Sequence, residues 1–337
     1  MNIDLHSHFF PVEAFQSAGK FRDKAPGAEL AGGRLTIKSG GGTRANLTAA
    51  MYDAAVRLGE LDRMQIDLQA LSPSPIMLFY WDDAATAGYF SRLQNEAIRA
   101  VVAQHPDRFV GFGSAPLQDV REAIAVAEHA KRIGLKGLEI GTAVGEKQLD
   151  DDAFEPFFEA AQALDLLLFV HPTEDGIDMD DPVNAMLGNV VQFPYRTTLM
   201  IERMILKGLF GKYQNLRLCL SHGGGLLAFN IWRLDHAYGV RAELRKHIDK
   251  KPSEYLRRFY YDTIVHSAAA LDYLIRMVGA ERVVIGTDYP MAMGDFDPVA
   301  RIAQLDISAD ERRAILEGNA ARALGIAIRH IDAGEAR

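Results

Sequence analysis

From its first residues the chain alternates short apolar runs with longer stretches of helical period. Eight runs have the length and β-rich composition of strands: "IDLHSHFF", "IDLQALSPSP" from Ile66, "RFVGFGSAP" from Arg108, "GLKGLEIGT" from Gly134, "LLLFVHPT" from Leu166, "LRLCLSHGG" from Leu216, "FYYDTIVHS" from Phe259 and "RVVIGTDYP" from Arg282. Each runs into Gly, Pro, Ser or a charged residue at its C-terminal end. Between them lie helical periods such as "DAAVRLGELDRM", "REAIAVAEHAKRIG", "DDAFEPFFEAAQALD" and "AALDYLIRMVGAE", with acidic starts and ends that suit helix termini. Eight strands alternating with helices predict an α/β fold, a (β/α)8 TIM-like barrel. A doubly wound open sheet is the alternative, but no GxGxxG follows the first strand.

Two segments exceed an ideal barrel. Residues 11–47 form a Gly-rich insertion after strand 1, with a β-like run "GRLTIKS" flanked by "AGG" and "GGG". They predict a loop or small hairpin over the barrel mouth. Residues 173–194 form a second long βα loop after strand 5, and such loops belong to the active-site face of a barrel. The expected organisation is a single barrel domain over 1–327, with 11–47 as insertion or lid, and a C-terminal tail at 328–337.

Composition narrows the setting. The 337 residues are 48% hydrophobic and 24% charged, ordinary for a globular protein able to bury a large core. A net charge of -8 argues against nucleic acid or an anionic membrane surface as partner, without excluding a small anionic substrate held by a local cluster of Arg and metal. One cysteine, Cys219, excludes an internal disulfide framework, and no apolar run reaches transmembrane length. With charged and polar residues from Asn2 onward, the expected compartment is the cytoplasm.

Barrel chemistry gathers at the C-terminal strand ends. There the sequence places His6 and His8 on strand 1, His171 on strand 5, His222 on strand 6 and Asp288 on strand 8. Residues i and i+2 of a strand share a face, so both imidazoles of "HSH" aim together. Imidazoles with one carboxylate suit zinc or another divalent transition metal, with an open position for water or substrate. Singly, each has a plainer reading: His171 can bond a loop, His222 can cap a turn, and Asp288 can cap the next segment. Their coincidence at four strand ends favours the metal. His105, His129, His236, His247 and His330 read as solvated, and His266 is ambiguous. Asp262 on strand 7 lies too deep for a ligand and reads as a group that orients a neighbour.

These residues carry a family resemblance. "DLHSHFFP", "FVHP", "SHGGG" and "GTDYP" resemble the amidohydrolase superfamily, and within it the metal-dependent decarboxylase branch, most closely the 2-amino-3-carboxymuconate-6-semialdehyde decarboxylases. "PDRFVGFGSAPLQD", "GLEIGT", "EYLRRFYYDTIVH" and "EGNAARALGI" follow in the expected order. The resemblance implies metal ligation by His6, His8, His171 and Asp288, with His222 as the acid–base group. It implies an anion-binding Arg233 that reaches the site of a neighbouring subunit in a homodimer, and Arg44 as a second substrate-binding arginine. Nothing marks Lys136 on strand 4 as a bridging carbamate, which fits a mononuclear site.

The substrate region departs from that pattern. "HPWD" becomes "HPTED", so Thr173 replaces an aromatic wall; Ala185 or Met186 stands where a tryptophan is expected, and Met291 stands for a phenylalanine. The expected activity is decarboxylation of a conjugated or aromatic carboxylic acid, without organic cofactor, with Asp288 also serving in proton handling. The same site could hydrolyse a lactone or amide, or hydrate a conjugated acid. A barrel that only binds a ligand is disfavoured, because structural zinc sites are normally closed by Cys and His.

Overall fold

The computed structural model describes residues 1–16, 19–40, 42–174, 176–177 and 181–328, without the side chain of Lys20. Of the expected tail only Ile328 falls among them, and His330 lies outside. Eight strands form one parallel sheet in chain order: β1 (Ile3–Asp4), β2 (Leu68–Leu71), β3 (Phe109–Ser114), β4 (Gly137–Ile140), β5 (Leu167–Val170), β6 (Arg217–Leu220), β7 (Tyr260–Asp262) and β8 (Val283–Val284). Registers such as Ile3↔Leu68, Leu167↔Gly137 and Tyr261↔Val283 link neighbours. A parallel bridge from Asp4 to Ile285, with Leu5 N–H donating to Ile285 O at 2.9 Å, brings the last strand to the first. The fold is the (β/α)8 barrel.

Seven helices follow the first seven strands: α1 (Ala54–Arg63), α2 (Ala84–Gln104), α3 (Val120–Arg132), α4 (Glu155–Ala163), α5 (Phe193–Leu206), α6 (Leu227–Val240) and α7 (Ala268–Val278). Their starts are written locally. Asp53, Asp83 and Asp119 accept from backbone N–H groups of the first turns of α1, α2 and α3, which satisfies donors a helix leaves open. Strand residues then alternate between two buried layers. Leu68, Ala70, Val110, Phe112, Leu167, Phe169 and Cys219 share one cluster, closed by Ala320, Ala321 and Leu324 of the C-terminal helix. Leu71, Leu138, Ile140, Leu168, Val170, Leu218 and Leu220 belong to a second cluster, with the helix faces. Burial on both sides is why these strands read as nearly continuous apolar runs.

Two expectations need correction. The 11–47 insertion is neither loop nor hairpin: after a short helix at Val12–Gln16 it forms a three-stranded antiparallel sheet, Gly27–Ala31, Arg34–Ser39 and Gly42–Leu47. Gly32 and Gly33, at φ 57° and 75°, make the first reversal, which side-chain-bearing residues adopt only at a cost. Leu35 and Ile37 of the central strand are fully buried against Phe10, Phe15, Ile76 and Phe79. The segment after β5 is likewise not a long loop throughout. Asp181 accepts from Val183 N and Asn184 N at 2.8 and 2.9 Å and starts a helix at Pro182–Leu187, which runs through a π-turn at Gly188–Gln192 into α5.

Candidate active site

The chain beyond β1 carries His6 and His8 to the barrel's C-terminal end, where β5 delivers His171 and the segments after β6 and β8 deliver His222 and Asp288. His6, His8, His171 and Asp288 each offer a ligand atom, and these four atoms lie within 4.8 Å of one another, all buried. The imidazole centroids of His6, His8 and His171 are 5.1–5.2 Å apart. His222 stands 4.8 Å from His171 and 5.3 Å from His6 by the same measure, so the structure brings together all five residues singled out at the strand ends.

The orientation of each ring is fixed from behind. His6 Nδ1–H donates to Asp262 Oδ2 at 2.6 Å, His8 Nδ1–H to Pro73 O at 3.1 Å, and His171 Nδ1–H to Pro172 O at 2.7 Å. Carbonyls and carboxylates only accept, so each Nδ1 carries the proton and each Nε2 keeps its lone pair for the centre. His6 Nε2, His8 Nε2 and Asp288 Oδ1 are buried and have no hydrogen-bond partner. Orphaned polar atoms of this kind are costly, and a divalent cation satisfies all three at once. The donor set fits the metal.

Asp262 also serves the opposite side of the site. Besides His6 it accepts from His222 N at 2.9 Å, Gly223 N at 2.8 Å and Ile264 N at 3.1 Å. One carboxylate therefore orients a ligand candidate and holds the backbone of the acid–base candidate. That backbone needs holding, because His222 and Asp288 both sit at φ 54°, a left-handed region costing about 1–3 kcal/mol for a side-chain-bearing residue. The "GGG" after His222 turns for a stated reason: a Cβ on Gly225 would lie 2.2 Å from Pro194 O.

Beneath the cluster lies a buried polar layer that sequence reading passed over. Asp4 accepts from His6 N at 3.0 Å, Gln69 Nε2 at 2.6 Å and Thr287 Oγ1 at 2.6 Å. Arg57, fully buried on α1, donates to Gln69 Oε1 at 2.9 Å and to His8 O at 2.5 Å. Glu139 of "GLEIGT" accepts from Ser72 Oγ at 2.6 Å and stands 3.6 Å from His8 Nδ1. The only hint in the sequence was a charged residue inside an otherwise apolar strand.

Electrostatics separate the histidines. Burial works to lower His6, but the charge of Asp288 and the bond to Asp262 outweigh it and raise its pKa to about 10. Burial, then His6, lower His222 to about 4, and burial with the neighbouring histidines lowers His171 well below the usual imidazole range. Burial pushes Glu139 up to about 7 and Asp4 to about 6. Asp288, despite burial, is held well below the usual carboxylate range by His6 and His8.

A cavity of about 470 Å³ opens onto the cluster, lined by His8, His171, His222 and Asp288, by Arg44, Ala45 and Leu47 of the insertion's last strand, and by Glu174, Ala185, Met186, Phe193, Met291 and Met293 among others. Arg44 and Met291 are both among these lining residues, and Arg44 is ion-paired to Glu174. Thr173 does not line this cavity: it is buried and packs toward Gly141, while its carbonyl accepts from Arg196 Nη1 at 3.0 Å. Arg233 is exposed on α6, away from this chain's own cavity. The expected thinning of the aromatic wall is offset by Phe193, whose ring stacks over His222 at 6.3 Å and meets His171 edge-on at 6.1 Å. Outside the cluster, His129 is mostly buried and faces Glu96 at 3.2 Å rather than being solvated.

A (β/α)8 barrel with a His/Asp metal-binding site at its C-terminal end, and a further histidine beside it, defines a class of metal-dependent enzymes. The chain belongs to the amidohydrolase family, whose family model matches residues 3–326. It is 35% identical over 278 residues to the 2-amino-3-carboxymuconate-6-semialdehyde decarboxylase of Dictyostelium discoideum, covering 82% of this chain and 77% of that one. Among solved structures, the 5-carboxyvanillate decarboxylase of Sphingomonas paucimobilis superposes with a TM-score of 0.80 at 28% identity, covering 97% and 99% of the two chains. A dihydroxybenzoic acid decarboxylase of a Polaromonas species, with bound manganese and the inhibitor 2-nitroresorcinol, superposes with a TM-score of 0.72 at 25% identity, covering 96% of each.

Proposed function

We infer that the protein is a metal-dependent decarboxylase of a conjugated or aromatic carboxylic acid, a carbon–carbon lyase that works without organic cofactor. One observation carries this reading: three buried ligand-type atoms without hydrogen-bond partners converge beside His222, on a chain whose relatives are named decarboxylases. His6, His8, His171 and Asp288 hold the ion, zinc or, as in the Polaromonas relative, manganese. Bound there, the ion supplies Lewis-acid charge that polarises the substrate.

The chain's own groups do the rest. His222 is neutral at pH 7, since burial lowers it to about 4. Its Nδ1 lies 3.1 Å from Ser221 Oγ, and its Nε2 lies 3.9 Å from Asp288 Oδ2. Nε2 takes a proton from solvent and delivers it to the carbon that loses CO₂, with Asp288 Oδ2, 3.9 Å away, as the second group that can handle it. The electron pair left behind rests in the substrate's own conjugated system, which is why no organic cofactor is needed. Phe193 and Met291 offer that system an apolar wall.

A carboxylate-bearing substrate needs fixed cations. The two candidates are Arg44, which lines the cavity paired to Glu174, and Arg233 of a second copy. The face carrying Arg233 supports a homodimer: Phe229 is 76% exposed, and Trp232, Leu226, Val190, Val191 and Tyr195 lie open beside it on α5, α6 and the preceding turn. The insertion acts as a lid through its last strand, within one barrel domain spanning 1–327. Among the described residues, no helix is long and apolar enough to cross a membrane.

The test is a screen of carboxymuconate semialdehydes and hydroxybenzoate-type acids for CO₂ release. Turnover of a lactone, an amide or the hydration of a conjugated acid, without CO₂, would replace the lyase reading with a hydrolase or hydratase. For the dimer, inactive R233A and inactive H222A should regain part of the activity when mixed as heterodimers; no recovery refutes action across subunits.

A further inference from the structure

Glu174 follows Thr173 in the "HPTED" run after β5, and its carboxylate reaches back across the cavity to Arg44 on the insertion's last strand. Both side chains are largely withdrawn from water, 18% and 8% exposed, and both line the cavity that contains His8, His171, His222 and Asp288. Among the described lining residues Arg44 is the one guanidinium, and there is no lysine. Gly42, two residues before Arg44, fits against Glu174 as well: a Cβ there would stand 2.6 Å from Glu174 Oε2. The pair is therefore built into the wall of the cavity, and its geometry is a charged one held inside the protein.

We propose that Glu174 is a specificity-determining residue: by pairing with Arg44 inside the cavity it cancels the guanidinium this chain brings to its own substrate, so that the site favours acids with a single carboxylate over dicarboxylates. The proposal rests on the decarboxylase reading and names the substrate class within it. With a divalent ion on Asp288 and neutral histidines, and with Arg44 offset by Glu174, this chain's own described lining residues would leave one net positive charge, before any contribution from a second copy. A monocarboxylate neutralises that charge. A dicarboxylate must bring its second anion up against the Glu174 carboxylate or compete with it for Arg44.

The test measures binding rather than turnover, on the metal-loaded protein by titration calorimetry, with benzoate and benzene-1,3-dicarboxylate as probes. Wild type should prefer benzoate. E174Q keeps a hydrogen-bonding group beside Arg44 but removes the charge, and should shift the ratio of the two affinities toward the dicarboxylate by about tenfold or more. In R44M/E174Q the ratio should return to within about twofold of wild type. R44M alone, which removes the guanidinium and keeps the Glu174 charge, should shift the ratio the other way by a similar factor and serves if E174Q does not fold. Metal content and melting temperature show that each variant is folded and loaded. A ratio unmoved by E174Q or R44M, or failure of both probes to bind wild type, overturns the proposal. Failure of the decarboxylase reading looks different: acids bind with the expected ratios and no CO₂ is released.

Discussion

The floor of the cavity and its rim are built on different principles. On the floor every functional ring is oriented by a hydrogen bond from the barrel itself: His6 by Asp262, His8 by Pro73 O, His171 by Pro172 O. The rim is made by the insertion sheet, the helical segment after β5 and the turn at 291–293, and it is joined across the opening by the Arg44–Glu174 pair. The floor is thus fixed by the fold, while the rim can change without disturbing the chemistry. Changes at the floor should abolish function, and changes at the rim should re-sort substrates.

The largest expected effects fall on the ligand set. H8A, H171A and D288N should lose both metal and CO₂ release, read by elemental analysis of the purified protein; full metal content in any of them removes that residue from the set. H222A should instead keep its metal and lose turnover by about 10²- to 10⁴-fold. D262N sits between floor and backbone. It should weaken metal affinity by about 10- to 100-fold and lower stability to urea by about 3 kcal/mol, because four N–H donors lose a charged acceptor.

Metal loading should also depend on pH. Asp288 and Asp262 raise the pKa of His6 against the burial that lowers it, so a proton competes with the cation for Nε2. Affinity should therefore fall as pH is lowered, with proton release on metal binding, as metal titrations at several pH values would show. A flat profile contradicts that proton inventory. The smallest effect is expected at Thr173: T173S removes a methyl packed toward Gly141 and should cost about 0.8 kcal/mol of stability with KM unmoved. A raised KM would put Thr173 on the rim after all.

What the sequence made legible follows the same division. All eight strands and the five strand-end residues were readable, because a βα alternation repeats and each functional residue ends an apolar run. Asp262 was readable as an orienting group from its depth on β7. Arg57 was not, since a charged residue in the amphipathic pattern of α1 gives no sign of being fully buried under His8. Phe193 was missed because the approach of its ring to His222 depends on the π-turn that carries the helix from Pro182 into α5. The insertion's three strands were hidden by glycines that look like loop residues, although Gly32 and Gly33, at positive φ, make the first reversal between strands. Thr173 takes the position of an aromatic in the resembling pattern, but its small side chain turns toward Gly141, which the pattern alone does not reveal.

The claim beneath all of this is that one divalent ion, held by His6, His8, His171 and Asp288, is required for CO₂ release. Chelator-stripped protein, reloaded stepwise with zinc or manganese while CO₂ and bound metal are both measured, tests it directly. Stripped protein should release no CO₂ and recover fully at about one equivalent of metal per chain. Full CO₂ release from metal-free protein would contradict it.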